Sequence, residues 1–217
     1  MAKRIHIFAG HYGSGKTNLA VNFALQLKAQ GLPVKIADLD IVNPYFRTKD
    51  SAKELEEAGI DLISPAFANT NVDLPALPAQ LYSLVQRHDH YAVMDVGGDD
   101  RGAYALGRYT PAILEENNYE MYFVVNFFRP LTPTPEDALV IMREIEQAAG
   151  IRCTGIINNS NLGDETTLTD VQSTATKVQE LSRLSGLPVL FTAMKAELCS
   201  ETDDATIFPL SLQKKYF

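Results

Sequence analysis

Eight residues near the amino end, Gly10-His11-Tyr12-Gly13-Ser14-Gly15-Lys16-Thr17, combine flexible backbone, one fixed positive charge and one hydroxyl. Their spacing is G-x-x-x-x-G-K-[ST], that of a phosphate-binding loop. Glycines at 10, 13 and 15 allow left-handed backbone and close approach to a ligand. Successive amides then point into one concavity, reinforced by the partial positive charge of a following helix. Lys16 would meet the β- and γ-phosphates, and Thr17 would ligate Mg²⁺. Gly13, Ser14, Gly15 and Asn18 complete the expected phosphate-contacting set. Carboxylates recur downstream at spacings that suit the same chemistry. Asp38-x-Asp40 closes one apolar run, and Asp95 closes another, followed by Gly97-Gly98-Asp99. An acidic residue at a buried strand end holds Mg²⁺ through water, and a glycine-rich loop after it senses the γ-phosphate. On these residues Thr17 and Asp95 would take Mg²⁺, the Asp38-x-Asp40 pair suits Mg²⁺ or water chemistry, and Lys16 is a catalytic candidate. Asp38, Asn43, Gly98 and Asp99 belong to loops that would move with the γ-phosphate.

These groups need a scaffold that brings distant loops together. Ile5-His6-Ile7-Phe8-Ala9 reads as a buried strand, and Leu19, Phe23 and Leu27 repeat at helical spacing just after the loop. Apolar strand runs recur at 33–38, 60–63, 91–95, 121–125, 153–157 and 188–191. Between them lie helical patterns, several closed by Gly31, Gly59, Gly150 and Gly186. Ser51-x-x-Glu54 resembles a capping box; Asp73 would cap a helix with Pro75 in its first turn, and Thr134 one beginning at Pro135. A short helix over 103–109 is expected to end before Pro111, and one continuous helix to run from about 168 to 185. After Met194 the pattern fades into a tail. Strand and helix alternate throughout, which predicts an α/β, three-layer α/β/α fold with a mostly parallel sheet, in one domain spanning 1–217. In such sheets ligands gather at the strands' carboxyl ends, where the motifs fall.

Composition narrows the function classes. A net charge of −8 argues against a general nucleic-acid or anionic-membrane binder. No apolar run approaches the length of a membrane span, and the chain enters a strand at once, without a leader pattern. Cys153 and Cys199 have no metal-binding spacing and read as free thiols of a reducing compartment. A cytoplasmic protein is expected. His88-Asp89-His90 reads as a solvated helix end, not a metal site.

Taken in order, the loop at 10–17, Asp38-x-Asp40, Asp95-Val96-Gly97-Gly98-Asp99 and Gly155-Ile156-Ile157-Asn158-Asn159-Ser160 resemble the MinD/ParA and nitrogenase-iron-protein group of P-loop ATPases. The resemblance covers roughly residues 3 to 195. It implies ATP/ADP and Mg²⁺ as ligands, a homodimer sandwiching ATP, and hydrolysis that gates a protein partner or metalloenzyme. It implies that Asp40 orients the attacking water and that Asn159, or Asn158 one position earlier, contacts adenine, with the segment near 192–194 lining the base pocket. Two positions depart from the group. Its additional P-loop lysine, which reaches across the dimer, falls at His11, and a neutral histidine supplies no fixed charge. Either His11 acts only when protonated, or Tyr12, Arg47, Arg101 or Arg108 supplies the missing function, or the nucleotide is not shared between two chains. The cysteines that bridge an iron–sulfur cluster in the nitrogenase iron protein have no counterpart.

The leading expectation is a Mg²⁺-dependent ATPase used as a nucleotide switch or accessory factor. The alternatives are a small-molecule kinase or ATP-dependent ligase resembling dethiobiotin synthetase, with an acceptor near 43–50 and 64–76, and a nucleotide-gated binding module with negligible turnover.

Overall fold

The central strand β1 (Ile5–Ala9) is wholly buried, which is why it tolerates an almost unbroken apolar run. The computed structural model describes residues 3–40, 48–64, 80–98, 100–202 and 204–212. In chain order, β1 leads to α1 (Lys16–Ala29), β2 (Val34–Leu39), α2 (Ala52–Glu57), β3 (Asp61–Ile63), α3 (Gln80–Gln86) and β4 (Tyr91–Val96). Then come α4 (Asp100–Gly107), α5 (Thr110–Glu116), β5 (Tyr119–Val125), α6 (Pro135–Ala149), β6 (Gly155–Asn158), α7 (Leu168–Ser173), α8 (Ala175–Ser185), β7 (Val189–Lys195), α9 (Ala196–Cys199) and β8 (Ile207–Leu210).

These strands form one sheet in the order β3-β2-β4-β1-β5-β6-β7-β8. Every pairing is parallel, so all eight strands end at the same edge. Alternate residues of β1 serve opposite faces. Ile5, Ile7 and Ala9 join the apolar layer that includes α3, α4, α5, α6 and α8. Phe8 joins the other layer, with Leu19, Ala20 and Ala24 of α1 and Leu55 of α2. Three layers follow directly from this two-sided burial.

Several local expectations are corrected. The sheet extends past the last expected strand: β7 runs on to Lys195, and β8 adds an eighth strand in the region read as tail. Phe208 of β8 stacks on Phe191 of β7 and Phe23 of α1, and the Asn22 side chain exchanges two hydrogen bonds of 2.9 Å with the Ser211 backbone. The 168–185 helix is two, broken at Thr174, whose hydroxyl turns back to the Val171 carbonyl. The short helix expected to end before Pro111 does so, as α4, and Pro111 lies in the first turn of a further helix, α5, where its missing N–H costs nothing. Ser51 makes no side-chain cap, because a 3₁₀ turn, Thr48–Ser51, leads into α2 instead. Cys153 precedes β6 instead of lying in it, and Cys199 ends α9. Thr134 caps α6 as expected, accepting from the Asp137 amide, with Pro135 at the first position. The expected Asp73 cap lies outside the described residues. Among the described residues no helix is long and apolar enough to cross a membrane.

Candidate functional site

The loop after β1 folds over the start of α1. Gly15, at φ 84°, takes the left-handed backbone that precedes Lys16, and no side chain caps this helix. Its first turn holds no acidic residue. The amino-terminal amides of α1 therefore face a ligand position instead of a cap. The Lys16 ammonium donates to the His11 carbonyl at 3.1 Å, bridging the loop, and the Ser14 amide donates to the same oxygen at 3.1 Å. The structure thus forms the strand–loop–helix unit that the motif requires.

A cleft of about 760 Å³ opens beside this loop at the carboxyl edge of the sheet. Gly13, Gly15, Lys16, Thr17, Asn18, Asp40 and Asn159 all line it. Leu162, Met194, Leu210 and Leu212 also line it, with Asp164 and Glu165. The lining therefore combines the amides and ammonium group of the loop with apolar surface and further polar atoms. That is the combination a phosphorylated, flat, aromatic-ringed ligand would require.

The carboxylates take distinct places. Asp38 and Asp95 are directly opposite each other on β2 and β4. Asp38 is buried and accepts from the Asp40 amide at 2.9 Å, so it shapes the turn that presents Asp40. Asp95 is buried behind the cleft wall. Thr48 donates to its Oδ2 at 2.9 Å, while its Oδ1 has no hydrogen-bond partner. Burial raises the Asp95 carboxyl to about 6, against the opposing pull of the Lys16 charge and of the Thr17 and Thr48 hydroxyls. A buried carboxylate under the pull of the Thr17 hydroxyl and the Lys16 charge, with its Oδ1 not fully satisfied, fits the neighbourhood of a hydrated cation. Among the described residues no three His, Cys, Asp or Glu side chains converge on one metal position. A hydroxyl and an outer carboxylate suit Mg²⁺, which keeps most of its water and takes phosphate oxygens.

The loop after β4 packs against the phosphate loop itself. A Cβ on Gly98 would lie 2.5 Å from the Tyr12 nitrogen, so only glycine allows the two backbones this close. Asp40 Oδ1 would lie 3.3 Å from a Cβ on Gly97. The turns after β1, β2 and β4 therefore touch one another.

Asn159 is buried and pinned to the phosphate loop, its Nδ2 donating to the Ser14 carbonyl at 2.7 Å while its Oδ1 lacks a partner. Asn158 does not line the cleft. Its amide donates to Thr174 at 3.0 Å and its carbonyl accepts from Ser160, so it braces the turn after β6. Ser14 is buried beneath the loop. Asn43, Arg47 and Asp99 lie outside the described residues, as does the side chain of Arg101.

The candidates for the missing lysine divide sharply. His11 Nδ1 lies 3.0 Å from the Tyr12 carbonyl, so the ring folds back along its own loop. Tyr12 lines the cleft and is exposed. Arg108 follows α4, whose last residue, Gly107, lies beside Ala148 and Ala149 at the end of α6. That is the opposite edge of the sheet, so Arg108 is excluded as a phosphate ligand. Sequence reasoning missed Arg129, which lines the cleft and donates through Nε to the Gly13 carbonyl at 2.9 Å. The available signal was its place just past the end of β5, the strand next to β1.

No protein-family model matches the chain, and no curated protein matches it in sequence. Solved structures do match. The cell division protein FtsY of Thermotoga maritima aligns over 89% of this chain at 18% identity, with a TM-score of 0.64. FtsY of Mycoplasma mycoides aligns over 89% at 19% identity, TM-score 0.60. The signal recognition particle 54 kDa protein of Aeropyrum pernix, solved in complex with GDP, aligns over 88% at 16% identity, TM-score 0.58. The chain spans 62%, 61% and 41% of those three proteins. The fold is that of P-loop NTPases. These structures share it without singling out the MinD/ParA group.

Proposed function

We propose that the chain binds ATP with Mg²⁺ and hydrolyses it, as a switch or accessory factor of the MinD/ParA kind acting on a protein partner or metalloenzyme. One observation carries the reading: Lys16, Thr17, Asp40 and Asn159, from three separate strand ends, line one cleft beside an uncapped helix start. In this reading the 13–17 amides and Lys16 grip the β- and γ-phosphates, Lys16 exchanging the His11 carbonyl for phosphate oxygen. Thr17 would hold Mg²⁺ directly, with Asp40 and Asp95 reaching it through water. The ion supplies charge neutralisation on the phosphates. Asp40, set by Asp38, orients the attacking water. Because Gly98 rests on Tyr12, departure of the γ-phosphate would shift the loop after β4 and expose the change to a partner.

Adenine is favoured by the departure of the turn after β6 from the Asn-Lys-x-Asp pattern that would read guanine, with Asn159 on the cleft wall. Guanine is the second reading, supported by Asp164 and Glu165 on the lining and by the GDP held in the Aeropyrum pernix protein. The acceptor loops that a kinase would need, 43–50 and 64–76, fall largely outside the described residues.

Phosphate release from Mg–ATP and Mg–GTP tests the proposal. Asp40→Asn is expected to keep nucleotide affinity within about threefold and to slow hydrolysis at least about tenfold. Faster release from GTP would transfer the reading to guanine. Equal rates in Asp40→Asn and the native protein would remove Asp40 from the chemistry.

A further inference from the structure

The phosphate cradle has a second built-in cation, and it belongs to the same chain. Arg129 sits in the turn after β5, and that turn is rigidly made. Asn126, fully buried at its base, accepts from the Phe128 amide at 3.0 Å and donates to the Asn161 carbonyl at 3.0 Å. Its own carbonyl takes the Thr132 hydroxyl at 2.7 Å and the Arg129 amide at 3.2 Å. The Phe127 ring is buried, and its amide donates to Ser160 at 3.0 Å. The turns after β5 and β6 are thereby locked together, and the Arg129 backbone is fixed relative to the phosphate loop.

From that base the side chain reaches back over Gly13. A Cβ on Gly13 would lie 3.5 Å from Arg129 Nε, ordinary contact, so the guanidinium lies directly on the loop. It is half-buried, and it lines the same cleft as Lys16 and Thr17. A guanidinium holds its charge at every physiological pH and has five donors, of which the bond to Gly13 uses one. The rest are geometrically suited to phosphate oxygens. His11, by contrast, is turned onto the Tyr12 carbonyl and carries no fixed charge.

We propose that Arg129 completes the phosphate cradle from within a single chain, donating to the terminal phosphate of a nucleoside triphosphate across the Gly13 loop. It performs in cis the role that the P-loop lysine of the MinD/ParA group performs from a second subunit, which explains how His11 is tolerated there. The inference rests on the nucleotide-binding reading above. It assigns Arg129 to discrimination between triphosphate and diphosphate, because the charge it meets is largest when the γ-phosphate is present.

Binding of Mg–ATP and Mg–ADP, and of Mg–GTP and Mg–GDP, measured calorimetrically on the native full chain and on Arg129→Ala, Arg129→Lys and His11→Ala, tests this. Loss of a charge-assisted contact is worth about ten- to a hundredfold in affinity. Arg129→Ala is expected to weaken the preferred triphosphate by that factor and the matching diphosphate by less than about threefold. Arg129→Lys is expected to recover part of the loss, and His11→Ala to change little. A mere brace on the Gly13 carbonyl would weaken both nucleotides equally, and that result overturns the proposal. So does an unchanged triphosphate affinity, or a His11→Ala variant that shows the selective loss instead. If the native chain binds neither nucleotide pair, the nucleotide reading itself falls. If Lys16→Ala abolishes binding while Arg129→Ala loses no selectivity, only the Arg129 assignment falls.

Discussion

Gly98 shows how much of this site depends on backbone touching backbone. Any Cβ there meets the Tyr12 nitrogen at 2.5 Å, and no flexible side-chain end is present to yield. Gly98→Ala should therefore separate the loop after β4 from the phosphate loop. Overpacking of this kind costs about 1 to 3 kcal/mol. Urea unfolding is expected to register that loss together with weakened nucleotide binding; a variant of native stability and affinity would mean the two loops are not mechanically joined. At this scale the sequence was most legible where chemistry and conformation coincide. Lys16 and Thr17 were visible from spacing alone, Asp40 from an acidic pair at a strand end and the resemblance that chose between its members, and the three share a cleft. Arg129 was not, because its relevance arises from the adjacency of β5 to β1, which no local pattern encodes. Asn158 and Asn159 are neighbours of the same type, and only the register of the turn after β6 decides that one braces Thr174 while the other faces the phosphate loop.

Elements were legible in proportion to their periodicity. The strands and helices around the central sheet carried strong patterns, and glycine or proline marked many of their ends. β8 did not, since four residues containing Pro209 look like a tail until β7 supplies hydrogen-bonding partners. This edge strand nevertheless matters to the site, because Leu210 lines the cleft. Phe208 fastens it by packing on Phe191, ring centroids 4.9 Å apart, and on Phe23. Phe208→Ala is expected to cost about 3 kcal/mol in chemical denaturation and to weaken nucleotide affinity several-fold by loosening the Leu210 wall. Stability and affinity that both stay at native values would show that β8 is an ornament on the sheet's edge.

At the scale of the whole molecule, one buried base couples folding to acidity. His6 of β1 is enclosed by Phe23, Tyr91 and Tyr122, and its Nδ1 lies 2.7 Å from the Tyr122 hydroxyl. Burial lowers its pKa from 6.5 to about 4. The unfolded chain therefore takes up the proton more readily than the folded one. The contribution to stability is complete above pH 6.5 and drains away as the pH falls toward 4, by up to about 3 kcal/mol. Carboxylates titrate in the same window, so the comparison must be with His6→Phe. That variant should be less stable at neutral pH, where Tyr122 loses its partner, but should lose less further stability between pH 7 and 4.5. Parallel pH profiles for the two proteins would contradict a neutral, buried His6.

The whole arrangement, eight parallel strands delivering their loops to one edge, has its meaning in what the cleft holds. Calorimetric titration of the native protein with Mg–ATP, beside the Lys16→Ala variant, addresses that directly. Saturable one-site binding by the native chain is expected, with no detectable heat from Lys16→Ala although the variant stays folded. Binding of equal strength in both proteins, or none to the native chain with either ATP or GTP, would contradict it.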